Sequence, residues 1–297
     1  MAIAQTIGIG IEDGLVRRRR LRRERLFYRL CAAPALLLTL LVGIAPLGLM
    51  LVQSVRDQQT QAWTLDYYLS SFTNSFFTRT LATTIAMAAG VAILAILIAL
   101  PMAYLLARKA LVRNLLMPVI TVPRMLPFVV VGYAMILLLA PFTGVLNKVL
   151  IASGLISQPL FILFDWPGQA LAFFYAAVVV AIGILTGVLM SVDPQLEDAA
   201  VSLGASRLRS FFAVTLPLSV PGIIAAGALV FTSVTTAYSI PVMLAGRTPY
   251  MISIVVATNL LTLQQPHLAY AQAVVVSVLA IGATAFAQIV LSRYGHR

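Results

Sequence analysis

Six long apolar runs, at 30–52, 81–107, 115–140, 170–191, 219–244 and 271–291, dominate the chain. Each is long enough to cross a hydrocarbon layer as a helix, which takes about 20 residues. Lipid offers the backbone no hydrogen bonds, so such runs must satisfy their own and fold as helices. Only 10% of the 297 residues are charged, against about a quarter in soluble domains. The expectation is an all-α polytopic membrane protein with six transmembrane helices.

The formal charge of +11 would suit nucleic acid, but its placement argues against that partner. Eight of the 20 Lys and Arg lie at Arg17–Arg20, Arg22, Arg23, Arg25 and Arg29, directly before the first run. That block reads as a topological anchor in contact with anionic lipid. Block and run together imitate a signal peptide. The run is longer than a signal core and lacks a convincing small-x-small cleavage site, so a retained span is expected. An even number of spans puts both termini on one side. With them fall Arg108, Lys109, Arg113, Arg207, Arg209, Arg293 and Arg297; only Arg56, Arg79, Arg124, Lys148 and Arg247 lie elsewhere. The positive-inside rule then makes both termini cytoplasmic. The organisation expected is a basic cytoplasmic tail at 1–29, a first span with an external segment at 30–80, a core at 81–292 and a short cytoplasmic tail at 293–297. The lone cysteine, Cys31, excludes an intrachain disulfide.

One polar stretch on the cytoplasmic side, Asp193–Pro217, is unlike the other loops. Asp193 and Pro194 form a helix start, since Asp caps free backbone donors and Pro is tolerated at the first position. Leu196, Ala199, Ala200 and Leu203 recur at helical spacing, with Glu197, Asp198 and Ser202 off that face. Gly204 falls where a left-handed cap would end the helix. Ser206 can cap a second helix, in which Leu208, Phe211, Phe212 and Thr215 repeat the spacing before Pro217. On physics alone such a helix-turn-helix either lies on the membrane or is held by a partner.

Asp198-Ala199-Ala200-x-x-x-Gly204, with Leu216-Pro217 beyond it, resembles the E-A-A-x-x-x-G…L-P loop of permease subunits of binding-protein-dependent ABC importers. Asp198 stands where that family usually has Glu, and Glu197 precedes it. The segment Ala237–Gly246 also looks like the spermidine/putrescine-type branch, which includes carriers of other small solutes. The resemblance implies a type I ABC importer permease fold in a bacterial inner membrane. It also implies a coupling helix that docks on a cytoplasmic ABC ATPase dimer, at Glu197, Asp198, Ala199, Ala200, Leu203, Gly204, Ser206, Arg207 and Pro217. A second permease subunit, alike or different, and an extracytoplasmic solute-binding protein complete the expected assembly. ATP and Mg would sit on the ATPase, and this chain would bind no cofactor.

Within the spans, Pro118, Pro123 and Pro127 interrupt the third run, and Arg124 lies near its middle. A charge at that depth is costly, so Arg124 either faces a pathway at a broken helix or snorkels to an interface. Ser233, Thr235, Thr236, Tyr238 and Ser239, split by Pro241, form a second polar group in the fifth run. Arg124, Tyr133, Thr235, Thr236 and Tyr238 are the candidate pathway residues. A cationic polyamine would be repelled by Arg124, which favours an anionic or zwitterionic solute. Gly183-x-x-x-Gly187 reads as a close-packing motif. Around the spans, aromatics from Trp63 to Phe77 suit an outer interface, and Val145 to Leu155 suggest a short interfacial helix.

The chain holds no G-x-x-x-x-G-K-[ST], so ATP hydrolysis is not expected of it. Its two histidines, His267 and His296, begin no metal-ligand pattern, so neither a metal site nor a catalytic constellation is expected. The alternative class is a secondary transporter or channel working without an ATPase. Its usual mark is intramembrane acids, which the runs lack.

Overall fold

A computed structural model describes residues 33–244, 246 and 251–294. The expectations for the basic tail at 1–29, for Cys31, for Arg247 and for the side chains of 293–297 lie outside them. The described residues form helices and connecting turns, with one isolated bridge between Arg56 and Trp63 and no strand.

The first span, α1 (Ala33–Ser54), leaves nearly all its leucines exposed, as a lipid-facing helix should. A short helix α2 (Asp66–Thr73) leads to α3 (Ser75–Arg108), capped by Asn74. Phe76 and Phe77, read above as part of an external segment, belong to this helix, and Phe77 is buried. α3 packs along the later spans α7 (Trp166–Met190) and α9 (Arg207–Thr235). Its contact stripe is built from small residues: Ala88, Ala92, Ala95, Ala99 and Ala103 are all buried. Between lipid-bathed helices the hydrophobic effect adds little, and close backbone approach through small side chains supplies the packing. The same logic acts between α7 and α9, where a Cβ on Gly222 would lie 2.3 Å from Val188 Cγ1.

The third run is a broken helix rather than one span. α4 (Ala110–Met125) and α5 (Phe128–Leu139) meet at a 100° bend. Pro127 causes it: the residue before a proline is pushed to extended backbone, and Leu126 has φ −71° and ψ 133°. The fifth run is also displaced. Its helix starts at Arg207 and runs through Pro217, so no separate second loop helix ends there. A π-helical turn at Phe211–Thr215 marks the join. The helix stops at Thr235, and Pro241 lies in a short helix of its own, α10 (Ser239–Leu244).

The connection after α5 contains the expected short helix, α6 (Val145–Ala152), with Leu155 beyond its end. Buried Asn147 holds it by donating to the Ala140 carbonyl at 3.1 Å and accepting from Leu160 N at 2.8 Å. α8 (Pro194–Ser202) follows α7, and α11 (Ile252–Leu261) and α12 (Pro266–Tyr294) complete the bundle. At the end away from α8, His267 Nδ1 meets the Gln53 carbonyl at 2.8 Å and Asn259 donates to Gln272 at 2.7 Å. These bonds tie α1, α11 and α12 together.

Candidate functional site: an anchored polar hairpin and a pair of broken helices

The caps read from Asp193–Pro217 are present. Asp193 accepts from Gln195 N at 2.9 Å and Ser206 from Arg209 N at 3.3 Å. Gly204 has φ +92°, the left-handed conformation that L side chains rarely adopt.

Glu197 and Asp198 differ in direction. Asp198 is exposed, while Glu197 turns toward the bundle. Arg108 Nη2 and Nε lie 2.6 and 3.0 Å from Glu197 Oε1, and the Tyr104 hydroxyl donates to Oε2 at 2.8 Å. The Thr215 hydroxyl also donates to Oε1. Arg108 Nη1 reaches the Val192 carbonyl at 3.0 Å, and Ser210 Oγ donates to the Glu197 carbonyl at 3.1 Å. One carboxylate thus joins the end of α3, the start of α8 and the π-turn of α9. Burial alone would raise the Glu197 pKa. The hydrogen bonds from Thr215, Arg108 and Tyr104 outweigh that and hold it below the ordinary value.

Outward, the hairpin carries exposed apolar side chains among polar ones. Leu203 is 90% exposed and Leu208 69%, with Leu196, Val201, Ala199 and Arg207 also exposed and Ala200 half-buried. Pro217 is exposed on the rising part of α9. The sequence pattern found this face; it did not find that Glu197 anchors it, because Arg108 and Tyr104 lie 89 and 93 residues away.

The second feature is a cavity of about 380 Å3 beside the middle of α7, between the two broken helices. Ser233, Thr236, Tyr238 and Ser239 line it, together with Phe128 from the start of α5. Two pathway candidates, Thr235 and Tyr133, line neither this cavity nor the one beside it. Thr235 is buried and donates to its own helix at Phe231 O, 2.8 Å away, as hydroxyls in lipid-embedded helices commonly do. Tyr133 is 60% exposed on the outside of α5. A smaller cavity of about 180 Å3 adjoins the first, sharing Phe128, Ala176 and Val180, and Arg124 lines it. The glycine pair of α7 is not a helix-packing motif here. Gly187 faces open space, and a Cβ on Gly183 would lie 2.9 Å from Arg124 Nη1.

An all-helical bundle of apolar spans with this arrangement has the type I ABC importer permease fold. Its backbone matches, with a TM-score of 0.77 at 19% identity, a chain of a bacterial alginate ABC transporter crystallised with its alginate pentasaccharide-bound periplasmic protein. The match covers 91% of this chain and 94% of that one.

The chain belongs to the family of binding-protein-dependent transport system inner membrane components, whose model matches residues 95–296. It is similar to the molybdenum transport system permease protein ModB of Escherichia coli K12, 36% identical over 152 residues, 46% of this chain and 60% of that one. A probable molybdenum ABC transporter permease of Haloferax volcanii is 32% identical over 234 residues, 75% of this chain and 79% of that one. The spermidine/putrescine transport system permease protein PotB of Haemophilus influenzae is 27% identical over 67% of this chain and 69% of its own length.

Proposed function

We propose that the chain is the membrane-spanning subunit of an ATP-driven importer for a small oxyanion of the molybdate or tungstate kind. A binding protein delivers the solute, and a separate cytoplasmic ATPase pair supplies the work through the 193–217 hairpin. The observation that carries this reading is the hairpin itself. Leu203 and Leu208 stand exposed on the polar hairpin, at the end of α8 and in the first turn of α9, on a backbone fixed by two caps, Gly204 and the Glu197 bonds. Exposed apolar side chains on a rigid element favour docking into a partner's cleft over lying loosely on lipid. With Glu197 turned inward, Asp198 is the carboxylate left to meet the partner.

The mechanism follows from the connections. An ATPase pair that closes moves α8, and the Glu197 bonds pass the displacement to α3 and α9 together. Those helices flank α7, which walls both cavities. A tilt of the bundle then changes which end of the cavities is open. The positive-inside count supports a cytoplasmic hairpin, on the side where ATP is.

The oxyanion rests on two supports. Relatives named for molybdenum transport match up to 75% of this chain. Among the described residues lining the two cavities the charged one is a cation, Arg124, in the smaller, with hydroxyl groups in the larger, a chemistry that suits an anion and repels a polyamine. The relationship to PotB keeps the polyamine branch as the alternative solute class. Vesicles holding the chain with its ATPase should take up molybdate only with ATP inside reach of the ATPase and binding protein on the other face. Uptake driven by an ion gradient without ATP would overturn the reading in favour of a secondary transporter.

A further inference from the structure

Arg124 stands where a charge is expensive. It is the fifteenth residue of α4, about 21 Å from the helix start at 1.5 Å per residue. That start lies at the hairpin end of the bundle, where Arg113 Nη1 touches Met190 Sδ at 3.7 Å. Arg124 meets α7 at Gly183, seven residues, or about 10 Å, before that same end. Counted from the helix ends it thus lies about 10–21 Å into the bundle, against a hydrocarbon layer about 30 Å thick. Its side chain is exposed in the single chain, and among the described residues its guanidinium has no ion pair or hydrogen bond. Lipid is a costly neighbour for such a group, which favours water or an anion within the assembly.

The surroundings favour the anion. Arg124 is the charged residue lining the 180 Å3 cavity, and no carboxylate lines either cavity among the described residues. At roughly 30 Å3 per water, the smaller cavity holds about six waters, room for a small ion with part of its hydration shell. It shares walls with the larger cavity, in which Ser233 and Ser239 offer hydroxyl donors, while Thr236 donates to the Thr232 carbonyl at 2.9 Å. Gly183 is what lets the guanidinium lie against α7: any side chain there would push Nη1 outward. Arginine presents a planar fork of donors that matches the oxygen pairs of tetrahedral anions.

We propose that Arg124, seated on Gly183, forms a transit site for a divalent tetrahedral oxyanion, and that the hydroxyl-lined cavity is its neighbouring stage. This rests on the oxyanion reading above. Arg124 sets selectivity by charge, and Gly183 sets how far the charge projects. The site binds weakly by construction, because one exposed guanidinium and hydroxyls replace only part of the ion's hydration.

The test uses the assembled importer in a Cys31→Ser background, with Ala176→Cys as reporter, since Ala176 walls both cavities. Labelling rates are compared for an anionic sulfonate and a cationic trimethylammonium methanethiosulfonate. The anionic reagent should react several-fold faster relative to the cationic one when Arg124 is present. Arg124→Gln should abolish that preference, and molybdate should slow labelling only in the Arg124 protein. Gly183→Ala should raise the uptake KM several-fold while changing Vmax less, and it guards against an Arg124 variant that fails to assemble. A reagent preference indifferent to Arg124→Gln, or an unchanged KM in Gly183→Ala, overturns the transit site. An Arg124-dependent preference without molybdate protection or uptake overturns the choice of solute instead.

Discussion

Arg108 Nη2 lies 2.6 Å from Glu197 Oε1, and each side chain is 13% exposed. The pair joins the end of the longest described helix to the first turn of α8 across 89 residues of sequence. At that exposure solvent screens it less than a surface ion pair. The added bonds from Tyr104 and Thr215 satisfy the carboxylate that burial would otherwise penalise. Exposed pairs contribute about 0–1 kcal/mol, whereas removing one partner of a buried pair costs about 3–5 kcal/mol.

Glu197→Ala should fall between those limits, destabilising the protein by about 1–3 kcal/mol, because Arg108 keeps the Val192 carbonyl. Thermal unfolding in detergent reads this directly. The functional effect should be larger than the stability effect. At a temperature where the variant is folded, it should hydrolyse ATP with its partner but import less solute per ATP. Reversing the pair, Arg108→Glu with Glu197→Arg, should recover part of the loss. Equal coupling in wild type and Glu197→Ala would show that the pair does not transmit motion.

The same carboxylate gives a pH dependence of defined sign. Its pKa is lowered in the folded protein, so the stabilisation is complete above the ordinary value of 4.5 and is lost as the pH falls through the lowered value. The stability gap between wild type and Glu197→Gln should therefore be constant near neutrality and close below 4.5. A gap that widened on acidification would contradict the assignment.

Gly204 carries φ +92°, with open space where a Cβ would stand. Its requirement is backbone conformation and not room. Gly204→Ala should cost about 1–2 kcal/mol locally and weaken capture of the ATPase, while Gly204→Asn, which tolerates the left-handed region, should retain more of it. Co-purification of the three proteins with the ATPase orders them. Equal capture would mean that the turn does not shape the docking face.

Gly222 presents the opposite case, since a Cβ there would meet Val188 Cγ1 at 2.3 Å. Gly222→Ala should destabilise by about 1–3 kcal/mol through overpacking, and Val188→Ala should relieve much of that in the double variant. Additive losses, measured as melting temperatures, would show that α7 and α9 do not touch at this point.

The sequence made some of this legible and hid the rest for physical reasons. Runs of apolar residues declare spans because lipid leaves the backbone no alternative. Asp193, Gly204 and Ser206 declare caps because their roles are local. The Pro127 break was signalled but not its 100° angle, which depends on what α5 packs against. Ser206 opens a helix that runs on through Pro217. The π-helical turn at Phe211–Thr215, directly before Pro217, shifts the backbone hydrogen-bond register there, so the proline did not mark the end that its position suggested. The sequence did not tell which side of its helix Thr235 or Tyr133 occupies, because a uniformly apolar helix gives little periodicity to orient it. Gly183 was read for its spacing to Gly187, whereas its neighbour is Arg124. The Arg108–Glu197 pair had no local signal at all.

The most direct measurement is molybdate uptake by vesicles containing this chain with its ATPase and binding protein, comparing wild type with Ala200→Glu in the hairpin. Wild type should accumulate molybdate only with ATP. The variant should insert normally, lose the ATPase and lose uptake together. Accumulation without ATP, or full uptake by a variant that no longer holds the ATPase, would contradict the account.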